Sequence, residues 1–175
     1  MIPQPTSRTC FVCGRENPYS LRLQWFNNPE ANRVEADLVI PDQYNSYPGV
    51  AHGGVVAAIL DETAGRSLML DGNFDNLFVT LKLEVKYRKI TPTNTPLRVF
   101  GRILRQGKNR AQAVGELCLA DGTVTATCTA VLVSPPKEVT DRWKEEKPYW
   151  DARKPPARPG QSRPDRQDHS SETIC

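Results

Sequence analysis

One short stretch of this chain gathers the groups that could do chemistry together. His52, Gly53 and Gly54 open an apolar run, Val55 to Leu60, and two carboxylates, Asp61 and Glu62, interrupt that run. The start of a helix offers unpaired backbone N–H groups and the positive end of the helix dipole. Glycine there has no Cβ to keep a carbonyl away. An acid among apolar residues has a raised pKa and strengthened electrostatics, which suits it to take a proton or to attack. Addition to an acyl carbonyl needs these two things, an activated nucleophile and a donor for the oxygen that becomes anionic. Gly53 N–H, helped by Gly54, is the expected oxyanion donor, and Asp61 or Glu62 the expected base or nucleophile. The two acids lie about 100° apart round a helix, so both cannot face one pocket. If Asp61 is the one that does, Glu62 has Arg66, four residues on, as its expected partner.

The elements that must hold these groups are legible in the hydrophobic periodicity. The helix is expected from about Gly54 to Leu70, stopped by Asp71-Gly72 and Asn73. It is apolar nearly all round, so it belongs inside the fold. Leu21, Leu23 and Trp25 alternate with polar residues, as do Val34, Ala36 and Leu38. With a turn at Asn27-Asn28-Pro29 they form an expected hairpin. After the helix the period stays at two: Val79 to Tyr87, Leu97 to Ile103, Arg110 to Ala120, and Val124 to Val133 across an Asp121-Gly122 turn. This is an α+β pattern of five to six antiparallel strands, a curved sheet wrapped round one long central helix.

Composition sets the frame. The chain has 175 residues and a formal net charge of +3. That is far from the one-sided charge of a nucleic-acid binder. No apolar run is long enough for a membrane helix, and the first residues lack a secretory pattern, so a cytoplasmic location is expected. Cys10 and Cys13 have the spacing of a zinc or redox site. No second ligand pair follows, and Gly14 and Asn17-Pro18 break any helix after them. They are expected to pack an N-terminal ordered loop, residues 1–20, with no metal. Residues 21–134 form the main domain. Residues 135–175 are rich in Pro and charge. Trp143, Tyr149 and Trp150 are expected to pin their first part to the body, and the part after about Arg153 has the composition of a disordered tail.

Cys10-Phe11-Val12-Cys13-Gly14 with Asn17-Pro18, then Tyr47-Pro48-Gly49-Val50-Ala51-His52-Gly53-Gly54, then Asp61 nine residues after the histidine, resembles the hotdog-fold thioesterase superfamily, within it the PaaI-like acyl-CoA thioesterases. The likeness covers roughly residues 10–133, and Ser20 stands where a glycine is often found. It implies a hotdog fold, a homodimer with a continuous sheet, often paired into a homotetramer, an acyl-CoA or acyl-carrier thioester substrate, and no cofactor. It also implies that Asp61 rather than Glu62 is the base or nucleophile, that His52 shapes the loop and orients the thioester, and that Thr80 hydrogen-bonds the attacking water. Strand alternation places Thr80 on the polar face with Lys82 and Lys86. Asn45 is a further thioester-positioning candidate. Lys82, Lys86 and Arg88 are candidates for the coenzyme A phosphates, and Tyr47, Val55, Leu60 and Phe78 for the acyl pocket.

Asp61 lies about 12 Å along the helix from Gly53. One carbonyl cannot touch both, so a site using both takes them from different subunits. An enoyl-thioester hydratase and a non-catalytic acyl-thioester binder are the competing readings. The helix-start position of His52-Gly53-Gly54 favours hydrolysis over the first, and an acid in an apolar helix disfavours the second.

Overall fold

The computed structural model describes residues 1–150. His169, Cys175 and the expected disordered tail lie outside the described residues. In chain order the elements are β1 (Ile2–Pro3), β2 (Phe26–Asn28), β3 (Arg33–Val39), β4 (Asn45–Tyr47), β5 (Val50–Ala51), α1 (Gly53–Arg66), β6 (Val79–Tyr87), β7 (Pro96–Gln106), β8 (Arg110–Leu119), β9 (Val124–Val133) and α2 (Lys137–Glu146). One antiparallel sheet of seven strands runs β1-β2-β3-β7-β8-β9-β6, and β4 and β5 make a small hairpin.

The alternation in the sequence sorts the faces of the sheet. Val34, Ala36 and Leu38, then Leu97 and Val99, then Ala111, Ala113 and Leu117, then Ala126, Cys128, Ala130 and Leu132 are all buried. They meet Val56, Ile59, Leu60 and Ala64 of α1 in one core. The helix touches β3, β7, β8, β9 and β6, five neighbours in the sheet. Five strands span about 19 Å at the usual spacing, and a helix is only about 10–12 Å across. The sheet must therefore curve round α1, as the α+β hotdog pattern requires. Close approach is possible because Gly101 of β7 has no side chain. A Cβ there would sit 2.6 Å from the Thr63 carbonyl oxygen of α1.

Three boundaries differ from the periodicity reading, each for a local reason. Leu21, Leu23 and Trp25 are buried as expected, but they do not pair with β3. Arg22 adopts φ 56°, which breaks the ladder, and the segment bonds instead to Phe11 and Val12 of the N-terminal loop. The strand beside β3 is β2, and Asn27, expected in a turn, is buried inside it. There Asn27 accepts from Gln4 Nε2 at 2.6 Å and donates to the Met69 carbonyl at 3.0 Å. The helix begins at Gly53 and tightens into a 3-10 turn at Ser67–Met69 before the expected stop at Gly72 (φ 83°). Tyr149 and Trp150 meet the body as expected, under Arg8 at 4.2 Å and Arg66 at 4.6 Å, while Trp143 packs edge to face on Trp150 at 4.9 Å.

Candidate active site

His52 is the N-cap of α1, with φ −62° and ψ 132°, and its Nδ1 accepts from Gly54 N–H at 3.0 Å. Val55 and Val56 N–H both bond to the His52 carbonyl. The Gly53 N–H therefore stands as the one amide at this helix start without a partner among the described residues. The imidazole is thus engaged as the cap of this turn.

Two turns further on, Asp61 is half-buried, and Thr80 Oγ1 donates to its Oδ1 at 2.7 Å. Burial raises the Asp61 pKa above the ordinary carboxylate range. The Thr80 bond opposes that shift and the neighbouring Glu62 charge adds to it. Alternation had put Thr80 on the face of Lys82 and Lys86, and the structure corrects this. Thr80 pairs with Leu132 and Lys82 with the adjacent Val131, so Leu81 is an extra residue, a β-bulge. Leu132 is buried on the helix side. The bulge therefore aims Thr80 at α1, a common use of bulges beside sites.

Beyond the bulge the inward face of β6 carries Leu83, Val85 and Tyr87, opposite buried Ala130, Cys128 and Ala126. Tyr87 donates its hydroxyl to the Gly53 carbonyl at 2.6 Å. The edge strand thus holds both ends of the stretch, Gly53 through Tyr87 and Asp61 through Thr80. Tyr87 was missed in the sequence, although its alternation with Leu83 and Val85 marked it as inward.

Asp61 and Thr80 open onto a cleft of about 310 Å³, also lined by Phe78, Met69, Leu77 and Trp150. Of the four expected pocket residues only Phe78 lines this cleft. Val55 and Leu60 are buried in the core, and Tyr47, on the β4–β5 hairpin with Asn45, is 74% exposed. Lys82 and Lys86 lie on the outer face, each beside Glu84 at 3.8 and 3.5 Å. Arg88 follows the strand end, exposed, with its N–H on Thr125. None of these cations shares the Thr80 face. Glu62 pairs with Arg66 at 2.9 Å as expected. Arg66 is fully buried. It also donates to the Pro5 carbonyl at 2.6 Å and lies over the rings of Trp25 and Trp150.

A model of the thioesterase superfamily matches residues 48–126, from the turn before His52 into β9. Residues 48–126 thus resemble the thioesterase superfamily. Solved structures agree with this likeness and with the hotdog fold. A thioesterase superfamily protein superposes with a TM-score of 0.66 at 25% identity over 72% of this chain, which spans 63% of that protein's length. A candidate thioesterase of Ralstonia eutropha JMP134, described as phenylacetic acid degradation-related, gives 0.58 at 28% identity over 65% of this chain and 86% of its own. Its description accords with the PaaI-like resemblance. A hypothetical thioesterase of Streptococcus pneumoniae TIGR4 gives 0.53 at 21% identity over 58% of this chain and 77% of its own, a likeness of fold. Among curated proteins none matches. Among the described residues, no helix is long and apolar enough to cross a membrane.

Proposed function

We propose that the chain is an acyl-thioester hydrolase whose site forms between two subunits. The observation that carries this is the Asp61–Thr80 pair on the cleft, together with an unpaired Gly53 N–H too far along the same helix to reach the same carbonyl. In this reading Asp61 takes a proton from water as the water oxygen adds to the thioester carbon. Gly53 N–H of the partner subunit holds the resulting oxyanion. The C–S bond then breaks, and the thiol leaves with the proton returned. His52 and Tyr87 keep the helix start in place, and Thr80 orients the Asp61 carboxylate.

The pairing surface is the free edge of β6. This strand ends the sheet and exposes Val79, Leu81 and Tyr87, with Ile90 just beyond. An apolar open edge of this kind is a template for a second copy. Edge pairing in a C2 dimer would bring each Asp61 cleft toward the other subunit's strand and helix start.

Coenzyme A thioesters are the first substrates to test, since the S. pneumoniae protein was crystallised with coenzyme A. The expected result is free thiol released from at least one acyl-CoA, and no hydration of an enoyl-CoA. Hydration without thiol release would support the lyase reading instead.

Thr80→Val keeps the shape of the side chain and removes its O–H donor. A hydrogen bond to a charged group contributes roughly 1.5–3 kcal/mol, so kcat/KM should fall about 10- to 100-fold. The pH profile should move as well. Thr80 holds the Asp61 pKa down against burial. Its loss lets that pKa rise, so the acid limb of kcat/KM shifts to higher pH. An unmoved limb would show that Thr80 does not act on Asp61.

A further inference from the structure

Gly14 N–H closes a turn on the Cys10 carbonyl at 2.8 Å. A Cβ at Gly14 would lie 2.3 Å from that oxygen, so only glycine fits. Inside the turn Cys10 Sγ accepts from Val12 N–H at 3.3 Å and Cys13 N–H at 3.4 Å. Cys10 is half-exposed and Cys13 fully buried. The fold adds what the sequence spacing lacked. Glu62 brings a carboxylate oxygen so that the two sulfurs and this oxygen lie within 4.8 Å of one another. The place for a cation beside them is already held by Arg66, whose Nη2 lies 3.1 Å from Cys13 Sγ and whose guanidinium pairs with Glu62.

We propose that Cys10 and Cys13 are a reversible dithiol–disulfide site for peroxide-class oxidants, with Cys10 as the attacking sulfur and Cys13 as the resolving one. A half-exposed, hydrogen-bonded thiol beside a buried partner is the arrangement of a redox-sensing pair. Cys13 and the two backbone N–H groups stabilise the Cys10 thiolate and lower its pKa to about 7, against opposing burial and the Glu62 charge. Cys13, bonded to Cys10 and buried, is shifted upward despite Arg66.

The Cys10 thiolate attacks one peroxide oxygen. The O–O bond breaks, a sulfenic acid forms and hydroxide leaves. Cys13 then gives up its proton and attacks the sulfenic sulfur. The S–O bond breaks, the departing hydroxide takes a proton as water, and the S–S bond forms. Two thiols are oxidised by two electrons, and hydrogen peroxide is reduced to two waters. The new bond draws Cys13 away from Arg66 and Glu62, at the back of the helix that carries Asp61. The site stands on its own geometry, independent of the hydrolase reading.

The test is thiol trapping and peptide mapping of the full chain, with and without hydrogen peroxide. Expected are alkylation of Cys10 ahead of buried Cys118 and Cys128, and joint loss of the Cys10 and Cys13 thiols in peroxide. Dithiothreitol should restore both. A reversible change in tryptophan fluorescence should accompany the reaction, because Arg66 lies between Trp25 and Trp150. In Cys13→Ser a Cys10 sulfenic acid should accumulate as a dimedone adduct. Persistence of both thiols in peroxide, a bridge from either to Cys175, or one equivalent of metal bound to the purified protein through these thiols would overturn the proposal.

Discussion

Asp61→Asn is expected to remove thioester hydrolysis and to make the folded protein more stable. The side chain keeps its size and can still accept from Thr80 Oγ1. It loses the basic oxygen, and a positioned base contributes about 10²–10⁴-fold to rate. The stability gain follows from linkage. Burial holds the Asp61 pKa above its unfolded value. The folded state therefore binds this proton first, and the ionised carboxylate costs stability at pH above the folded pKa. That cost fades as pH falls through the folded pKa toward the unfolded one. The advantage of Asp61→Asn over wild type should be largest at neutral pH and shrink in acid. Parallel measurements of thiol release and denaturant midpoints across pH check both halves. A variant that keeps its activity would remove Asp61 from the mechanism. One that is less stable at neutral pH would show that the carboxylate is compensated by partners beyond Thr80.

Arg66→Ala is expected to give a large loss of stability, about 3–5 kcal/mol, the usual cost of breaking a buried pair from one side. The guanidinium is fully buried and serves four parts of the molecule. It pairs with Glu62, donates to the Pro5 carbonyl, contacts Cys13 Sγ, and lies between the Trp25 and Trp150 rings. Gln4 reinforces the same latch by donating to the Arg66 carbonyl at 3.0 Å. Arg66→Ala thus leaves Glu62 without its cation and loosens the N-terminal segment and Trp150 together. The combined Glu62→Gln and Arg66→Met variant should recover part of the loss, because no charge is then left unpaired. The measurement is the urea midpoint of the single and combined variants. A loss below about 1 kcal/mol, the range of an exposed ion pair, would contradict this account.

The four long strands after the helix were legible in the sequence because one face of each meets α1, and burial on one face imposes a period of two. The Glu62–Arg66 pair was legible because helical spacing is regular. What escaped the pattern depends on single irregularities. The bulge at Leu81 carries no composition mark, yet it decides which way Thr80 faces. The positive φ of Arg22 withdraws an alternating segment from the sheet. Meetings across long separations, Cys13 with Arg66 and Tyr87 with Gly53, arise only when the N-terminal loop and the edge strand close on α1. Lys82 and Lys86 read as a basic rim, but the strand turns them to the outer face beside Glu84.

The central claim is that one thioester is held by Gly53 of one subunit and attacked through Asp61 of the other. Mixing two inactive variants tests it. Gly53→Pro deletes the N–H at the first helical position, where proline is tolerated, and His52 already has the extended backbone that precedes proline. Asp61→Ala deletes the base. Each variant alone should be inactive. Refolded together in equal amounts, half the dimers are mixed, and each mixed dimer has one intact site of two. Activity should therefore return to about a quarter of wild type. No recovery from a mixture shown to contain mixed dimers would place both groups in one subunit and contradict the account.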